Sequence, residues 1–125
     1  MTTYQLLLLF IAFNIKHLVV DFLLQGPYQW MNKGTYGHPG GILHSGLHGA
    51  VTGLILAAFP TVPVVIAILW GLVDTFVHYH IDWAKVNINK RMGWGPTTHP
   101  QFWFLLGWDQ FFHWLTYIAI AAAVI

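Results

Sequence analysis

Histidine and aspartate recur along this sequence at a spacing that suits shared chemistry. The chain has eight His, four Asp, no Glu and no Cys among its 125 residues. Residues four positions apart lie on one face of a helix, and random placement would give about one such His/Asp pair. The sequence contains five: His17 and Asp21, His44 and His48, Asp74 and His78, His78 and Asp82, and Asp109 and His113. These pairs indicate a polar cluster built from several helices.

Metal binding is the chemistry that this set of residues fits best. Neutral imidazole and carboxylate are ligands for divalent metals, and helical bundles build two-metal sites from inward residues at similar spacing. Mixed His and Asp ligands without thiolates suit zinc, manganese or iron, and zinc is the preferred metal, with two ions as the preferred count. The candidate ligands are His17, Asp21, His44, His48, Asp74, His78, Asp82, Asp109 and His113. A metal-free proton or hydrogen-bond network is the alternative.

Four more polar residues are candidates for a supporting role. Gln25 and Gln110 could orient the ligands through hydrogen bonds. Lys33 and Lys85 could hold an anionic head group, although both also fit the ordinary positive charge that flanks membrane helices. No Ser-His-Asp or Cys-His nucleophile is evident, since Ser45 is the only Ser and Cys is absent.

The elements that must position these residues are apolar enough for a membrane. The chain is 57% hydrophobic and 7% charged, whereas soluble domains have about a quarter of their residues charged. Four stretches, about 4–25, 41–59, 62–83 and 102–125, are long enough to cross a bilayer. The short Pro60–Pro63 turn makes the second and third helices antiparallel neighbours. We therefore expect one all-α, integral-membrane domain, a four-helix bundle that runs up-down-up-down, with the first stretch retained as a helix.

The distribution of basic residues predicts the orientation in the inner membrane. Lys33, Lys85, Lys90 and Arg91 lie in the two long loops, which places those loops in the cytoplasm and both termini outside. All the His/Asp pairs then lie toward the cytoplasmic ends of their helices, where they can converge in one layer. A net charge of only +1 leaves no broad basic surface for nucleic acid.

Four motifs, taken together, resemble a known family. They are His17-x-x-x-Asp21 with Gln25, His44-x-x-x-His48, His78-x-x-x-Asp82, and Asp109-Gln110-x-x-His113. In this order they resemble an uncharacterised family, a domain of unknown function, of small integral-membrane proteins from bacteria and their phages. The resemblance implies a membrane fold with a polar core and supplies no activity. The motifs also suggest two hairpins related by pseudo-symmetry, each contributing four ligands to a central site.

Three functions fit this pattern. The first is a metal-dependent hydrolase that acts on a lipid or lipid-linked substrate at the cytoplasmic leaflet, because a bound metal can activate water near neutral pH. The second is a metal-ion or proton transporter, which would need a homo-oligomer because four short helices enclose little room. The third is a non-enzymatic membrane module whose metal holds the bundle together.

Overall fold

The structure, a computed structural model, describes all 125 residues, and its regular elements are all helical. They are α1 (Thr3–Leu18), which continues into a π-helical segment (Val19–Leu23), α2 (Pro27–Trp30), α3 (Pro39–Ala57), α4 (Val64–Met92) and α5 (Pro100–Val124). The predicted all-α class is confirmed. The up-down order of a four-helix bundle and the two-hairpin pseudo-repeat stay predictions.

Local sequence signals set the ends of the helices. α1 begins with a capping box, in which the side chains of Thr2 and Gln5 each accept a hydrogen bond from the other residue's backbone N–H. Proline occupies the first turn of α2, α3 and α5, where a missing N–H leaves no bond unmade. α4 ends at Gly93, whose φ of 67° lies in the left-handed region that glycine adopts without strain.

The loops contain more helix than the sequence predicts. α4 extends to Met92, whereas the apolar stretch suggests an end at Trp83. The reason is that no Gly or Pro interrupts residues 84–92, so the helix continues into its polar tail until Gly93 stops it. Similarly, the first breaker-rich connection contains the single turn of α2. Apolar length alone therefore underestimates the length of α4.

The interior of this protein is rich in polar groups, and its exterior is apolar. More of the 26 buried residues are polar or charged than hydrophobic. Large apolar side chains point outward instead, and Leu7, Phe22, Leu54, Phe76 and Trp108 are each exposed over more than half of their surface. An apolar exterior of this extent is compatible with a lipid bilayer and unusual for a soluble monomer.

Three helical segments are long and apolar enough to cross a membrane: Thr3–Leu23, Pro39–Ala57 and Val64–Met92. The fourth predicted span, α5, is not among them. Its amino-terminal half contains Asp109, Gln110 and His113, which lower its hydropathy. Its outward side chains, such as Phe104 and Phe111, are nevertheless apolar and exposed.

The most extensive helix contact, between α3 and α4, depends on two glycines. A Cβ at Gly49 would collide with the Thr75 hydroxyl and the Gly71 carbonyl oxygen, and a Cβ at Gly71 would lie 2.7 Å from the Gly49 carbonyl oxygen. Small residues let helix backbones approach closely where lipid gives no hydrophobic drive for association. This contact sets the distance between the predicted ligands on α3 and those on α4.

We expect Gly49→Ala to destabilise the protein by about 1–3 kcal/mol, because the added methyl group overpacks the interface between α3 and α4. The matched control is Gly46→Ala on the same helix, where an added Cβ meets nothing within 4 Å. That control should be neutral or stabilising, since alanine favours helix. Unfolding by SDS in mixed micelles would measure both, and equal stabilities would contradict the proposed role of Gly49.

Candidate metal centre

Four helical elements bring seven of the nine predicted ligands close together. The π-helical segment carries Asp21, α3 carries two of the histidines, α4 carries His78 and Asp82, and α5 carries Asp109 and His113. A π-helical turn contains about one residue more than an α-helical turn, and such turns often occur at functional sites. Here the amide of Leu24 donates to the carbonyl of Val19, five residues back. Asp21, within this segment, contacts histidines of α3 and α4.

One group surrounds a single oxygen of Asp21. The Nε2 atoms of His44, His48 and His78 lie 2.9, 3.2 and 3.7 Å from its Oδ1. The Nε2 atoms of His44 and His78 are themselves 3.1 Å apart. Four ligands at about 2.0–2.1 Å from a tetrahedral zinc are about 3.3–3.4 Å apart, so the separations suit an ion at the centre of this group. The four residues are all buried and could hold a metal ion.

A second group adjoins the first through a shared histidine. His78, Asp82 and His113 also place one ligand atom each close enough to hold a metal ion. The Nε2 of His78 lies 3.4 Å from Oδ2 of Asp82, and the Nε2 of His113 lies 3.3 Å from Oδ1 of the same carboxylate. His113 is in addition 3.5 Å from Oδ1 of Asp109. The two groups are thus a continuous His/Asp cluster.

The histidine rings present their Nε2 atoms to the cluster. Nδ1 of His44 donates to Oε1 of Gln29 at 3.2 Å, which leaves the Nε2 lone pair facing inward. A partner of this kind fixes the ring and the tautomer of a metal ligand. The Nδ1 atoms of His48 and His78 are buried without a hydrogen-bond partner. Their only polar neighbours are therefore on the Nε2 side.

Two lysines approach the cluster from its rim. Nζ of Lys33 lies 2.7 Å from Oδ2 of Asp82 and 3.9 Å from Oδ1 of Asp21. Nζ of Lys85 lies 3.4 Å from Oδ2 of Asp109. With neutral imidazoles, three carboxylates face two ammonium groups, so the cluster keeps one net negative charge. That net negative charge would attract a cation.

Several predicted site residues lie beside the two groups. Nε2 of His17 lies 2.7 Å from Oε1 of Gln110, and its Nδ1 lies 3.0 Å from the hydroxyl of Tyr117. Its Nε2 is also 3.3 Å from Oδ2 of Asp21. Gln110 in turn donates to Oδ2 of Asp109 at 3.1 Å, and Gln25 donates to the backbone carbonyl of Asp21. His17 and Gln25 thus contact Asp21 directly, and Gln110 contacts His17 and Asp109.

Asp74 lies in a separate polar layer. It forms an ion pair with Lys16, and the Thr52 hydroxyl donates to its Oδ2 at 2.6 Å. The Lys16 ammonium also donates to the Thr52 hydroxyl at 2.7 Å and lies 4.4 Å from the ring centre of Tyr117. Asp74 belongs to neither metal-capable group.

Sequence reasoning missed Lys16, Thr52, Tyr117 and Gln29. Lys16 is the one basic residue inside a predicted span, and an ionisable residue there is a functional signal in itself. Thr52 and Tyr117 lie four residues beyond His48 and His113, so they continue the same helix faces. Gln29 lies in a connection, where helical spacing carries no information.

Fold and site together define an all-helical protein with an apolar exterior and buried His/Asp groups that could hold a metal ion. The chain belongs to the family described as "Protein of unknown function (DUF3307)", which matches residues 9–125. The predicted membership of an uncharacterised family is confirmed. No curated protein and no solved structure matches the chain.

Proposed function

We propose that this protein is a membrane-embedded, metal-dependent hydrolase that acts on a lipid or lipid-linked substrate. The observation that carries the proposal is the convergence of three imidazole Nε2 atoms on one oxygen of Asp21, in a buried group whose separations suit a metal ion. Zinc suits three imidazoles and one carboxylate best, with manganese and iron as alternatives.

The number of ions depends on whether the carboxylate of Asp82 is free to bind one. Oδ2 of Asp82 already lies 2.7 Å from the Lys33 ammonium. A second ion between His78, Asp82 and His113 would share His78 with the first and would face the charge of Lys33. We therefore propose one ion in the group around Asp21, with a second ion only when Lys33 moves off Asp82.

The cluster offers residues for the rest of the chemistry. A divalent metal with room for a fifth ligand would supply a Lewis acid and make water acidic enough to act near neutral pH. His113 bridges Asp82 and Asp109 and stands between the group around Asp21 and Lys85, so its imidazole is placed to accept and return a proton. Lys85 is 30% exposed, the most accessible charge of the cluster, and would hold an anionic part of the substrate.

The membrane setting of the site is part of the proposal. Lys33 lies between α2 and α3, and Lys85, Lys90 and Arg91 lie in the last third of α4, which favours a cytoplasmic position for this end. Both termini would then lie outside the inner membrane, with α5 as the fourth spanning helix of an up-down bundle. The substrate would be drawn from the cytoplasmic leaflet.

A metal-stabilised module without activity is the second candidate. Four protein ligands around one ion are the mark of a saturated structural site, whereas catalytic sites keep an open position. Transport has less support, because an apolar cluster that includes Leu9, Phe13, Leu56 and Ile120 fills the interior on the far side of Lys16. The polar path ends at that cluster.

Elemental analysis together with a turnover assay separates these candidates. We expect protein purified in mild detergent to contain about one divalent metal per chain, since one group supplies a full ligand set. A panel of fluorogenic phospholipids and lipid esters in mixed micelles should be hydrolysed, and a chelator should abolish turnover. Metal content near zero would contradict both metal-binding candidates.

The fold of the chelated protein identifies the second candidate. If removal of the metal unfolds the helices and no substrate is hydrolysed by the loaded protein, the metal is structural. Activity that returns when metal is added back to a folded apoprotein would support the hydrolase.

A further inference from the structure

An apolar groove runs along the outside of α4 and α5 and reaches the edge of the His/Asp cluster. Its volume is about 430 Å³, within the usual range of ligand pockets. Phe76, Ile81 and Phe112 are among its apolar lining residues. Lys85 and Asp109 also line it, so one part of this apolar surface carries charge.

Lys85 connects this groove to a second, more polar cavity. That cavity has a volume of about 570 Å³, and its polar lining residues are Lys85, Asn89 and Lys90. Its remaining lining residues are apolar or aromatic. The two cavities therefore share Lys85, together with Leu105. One side offers apolar surface, and the other offers two cations and an amide.

The same lysine contacts the cluster itself. Its ammonium lies 3.4 Å from Asp109, which is only 4% exposed and in turn lies 3.5 Å from Nε2 of His113. A molecule that replaced Asp109 as the partner of Lys85 would thus come within two side chains of the second metal-capable group. Lys85 is the more accessible of the two lysines that contact the cluster, since its side chain is 30% exposed and Lys33 is 9% exposed.

We infer that the surface between α4 and α5 is a binding site for an anionic membrane lipid, with an acyl chain in the apolar groove and the anionic head group on Lys85 and Lys90. This inference rests on the proposed function and names its substrate class and its lateral route of access. The positive charges of this surface favour an anionic lipid over a second copy of this chain. In a symmetric contact with a second copy of this chain, Lys85 and Lys90 would face their own counterparts, and the like charges would repel.

Native mass spectrometry of the delipidated full chain tests the inference. The protein would be titrated in detergent micelles with phosphatidylglycerol or with phosphatidylcholine of the same acyl chains. We expect phosphatidylglycerol to be retained about fivefold better, as one lysine near an anionic lipid provides. Lys85→Ala should abolish this preference, and Lys85→Arg should keep it.

Two matched controls separate a built site from general attraction. Arg91→Ala removes an exposed charge that lines neither cavity and should keep the preference. Ala84→Trp fills the groove and should reduce retention of phosphatidylglycerol. Ala119→Trp, farther along the same two helices and outside this groove, should not.

Equal retention of the two lipids would overturn the inference. So would an equal loss of the phosphatidylglycerol preference in Arg91→Ala and Lys85→Ala, or mass spectra that show a second copy of the chain bound and no lipid. If Ala84→Trp fails to fold, the comparison of Lys85→Ala with Lys85→Arg still tests the inference. Metal content and turnover would be measured on the same samples. A preserved lipid preference without metal would contradict the proposed hydrolase and leave the lipid site standing.

Discussion

Replacing Lys16 with Met should destabilise the protein by about 3–5 kcal/mol, the usual cost of leaving one partner of a buried ion pair without the other. Lys16 is 3% exposed and Asp74 is 1% exposed, so water cannot reach the carboxylate that remains. The substitution keeps the length of the side chain and removes the charge. Thr52 still donates to Asp74, but one hydroxyl does not compensate a full charge.

The double variant Lys16→Met/Asp74→Leu tests whether the unpaired carboxylate of Asp74 causes the loss of stability. Replacing both members of a buried pair with apolar residues is often neutral or stabilising, so this variant should recover most of the lost stability. Lys90→Met, at an exposed position of α4, should change stability by no more than about 0.5 kcal/mol. The free energy of unfolding, from SDS titration in mixed micelles, is the measurement. A Lys16→Met protein as stable as the wild type would show that Asp74 needs no cation.

Helical periodicity explains why most of the site could be predicted from the sequence. A spacing of four residues fixes a shared helix face without any knowledge of the neighbours. His44 and His48 therefore had to point the same way, as did His78 and Asp82. Because an apolar chain leaves few places for such residues, the faces could be expected to meet inside the molecule.

The spacing of residues along the sequence does not show which residues of neighbouring helices lie opposite one another. Helix packing decides that. Asp74 shares a face with His78 but lies four residues away, about 6 Å along the axis. At that level the neighbour is Lys16 of α1, and the carboxylate forms an ion pair with it. The face of Asp74 was predictable, and its partner was not.

Connections were the least predictable part of the site. Lys33 and Gln29 lie in a segment rich in glycine and proline, where no periodicity fixes the direction of a side chain. The structure nevertheless places Lys33 on Asp82 and Gln29 on His44. The π-helical segment around Asp21 likewise has no signal in the sequence, because it depends on how α1 packs against α3.

Replacing His48 with Ala should lower the metal affinity by at least about 100-fold, because it removes a direct ligand and loss of an outer partner alone costs 10–100-fold. His48 belongs to the group around Asp21 and not to the second group. The matched control is His80→Ala, a histidine whose ring contacts the Phe76 carbonyl and the Tyr36 hydroxyl outside the cluster. Metal per chain would be measured after equilibration at a fixed concentration of free zinc.

Three histidine variants together locate the ion, because the two groups share only His78. If one ion lies in the group around Asp21, His48→Ala and His78→Ala lose it, whereas His113→Ala keeps it. If each group holds an ion, His48→Ala and His113→Ala each lose one, and His78→Ala loses both. Equal metal content in all variants and in His80→Ala would show that any bound metal lies elsewhere. The Lys33 ammonium on Asp82 favours the first pattern, since it already compensates the carboxylate that a second ion would need.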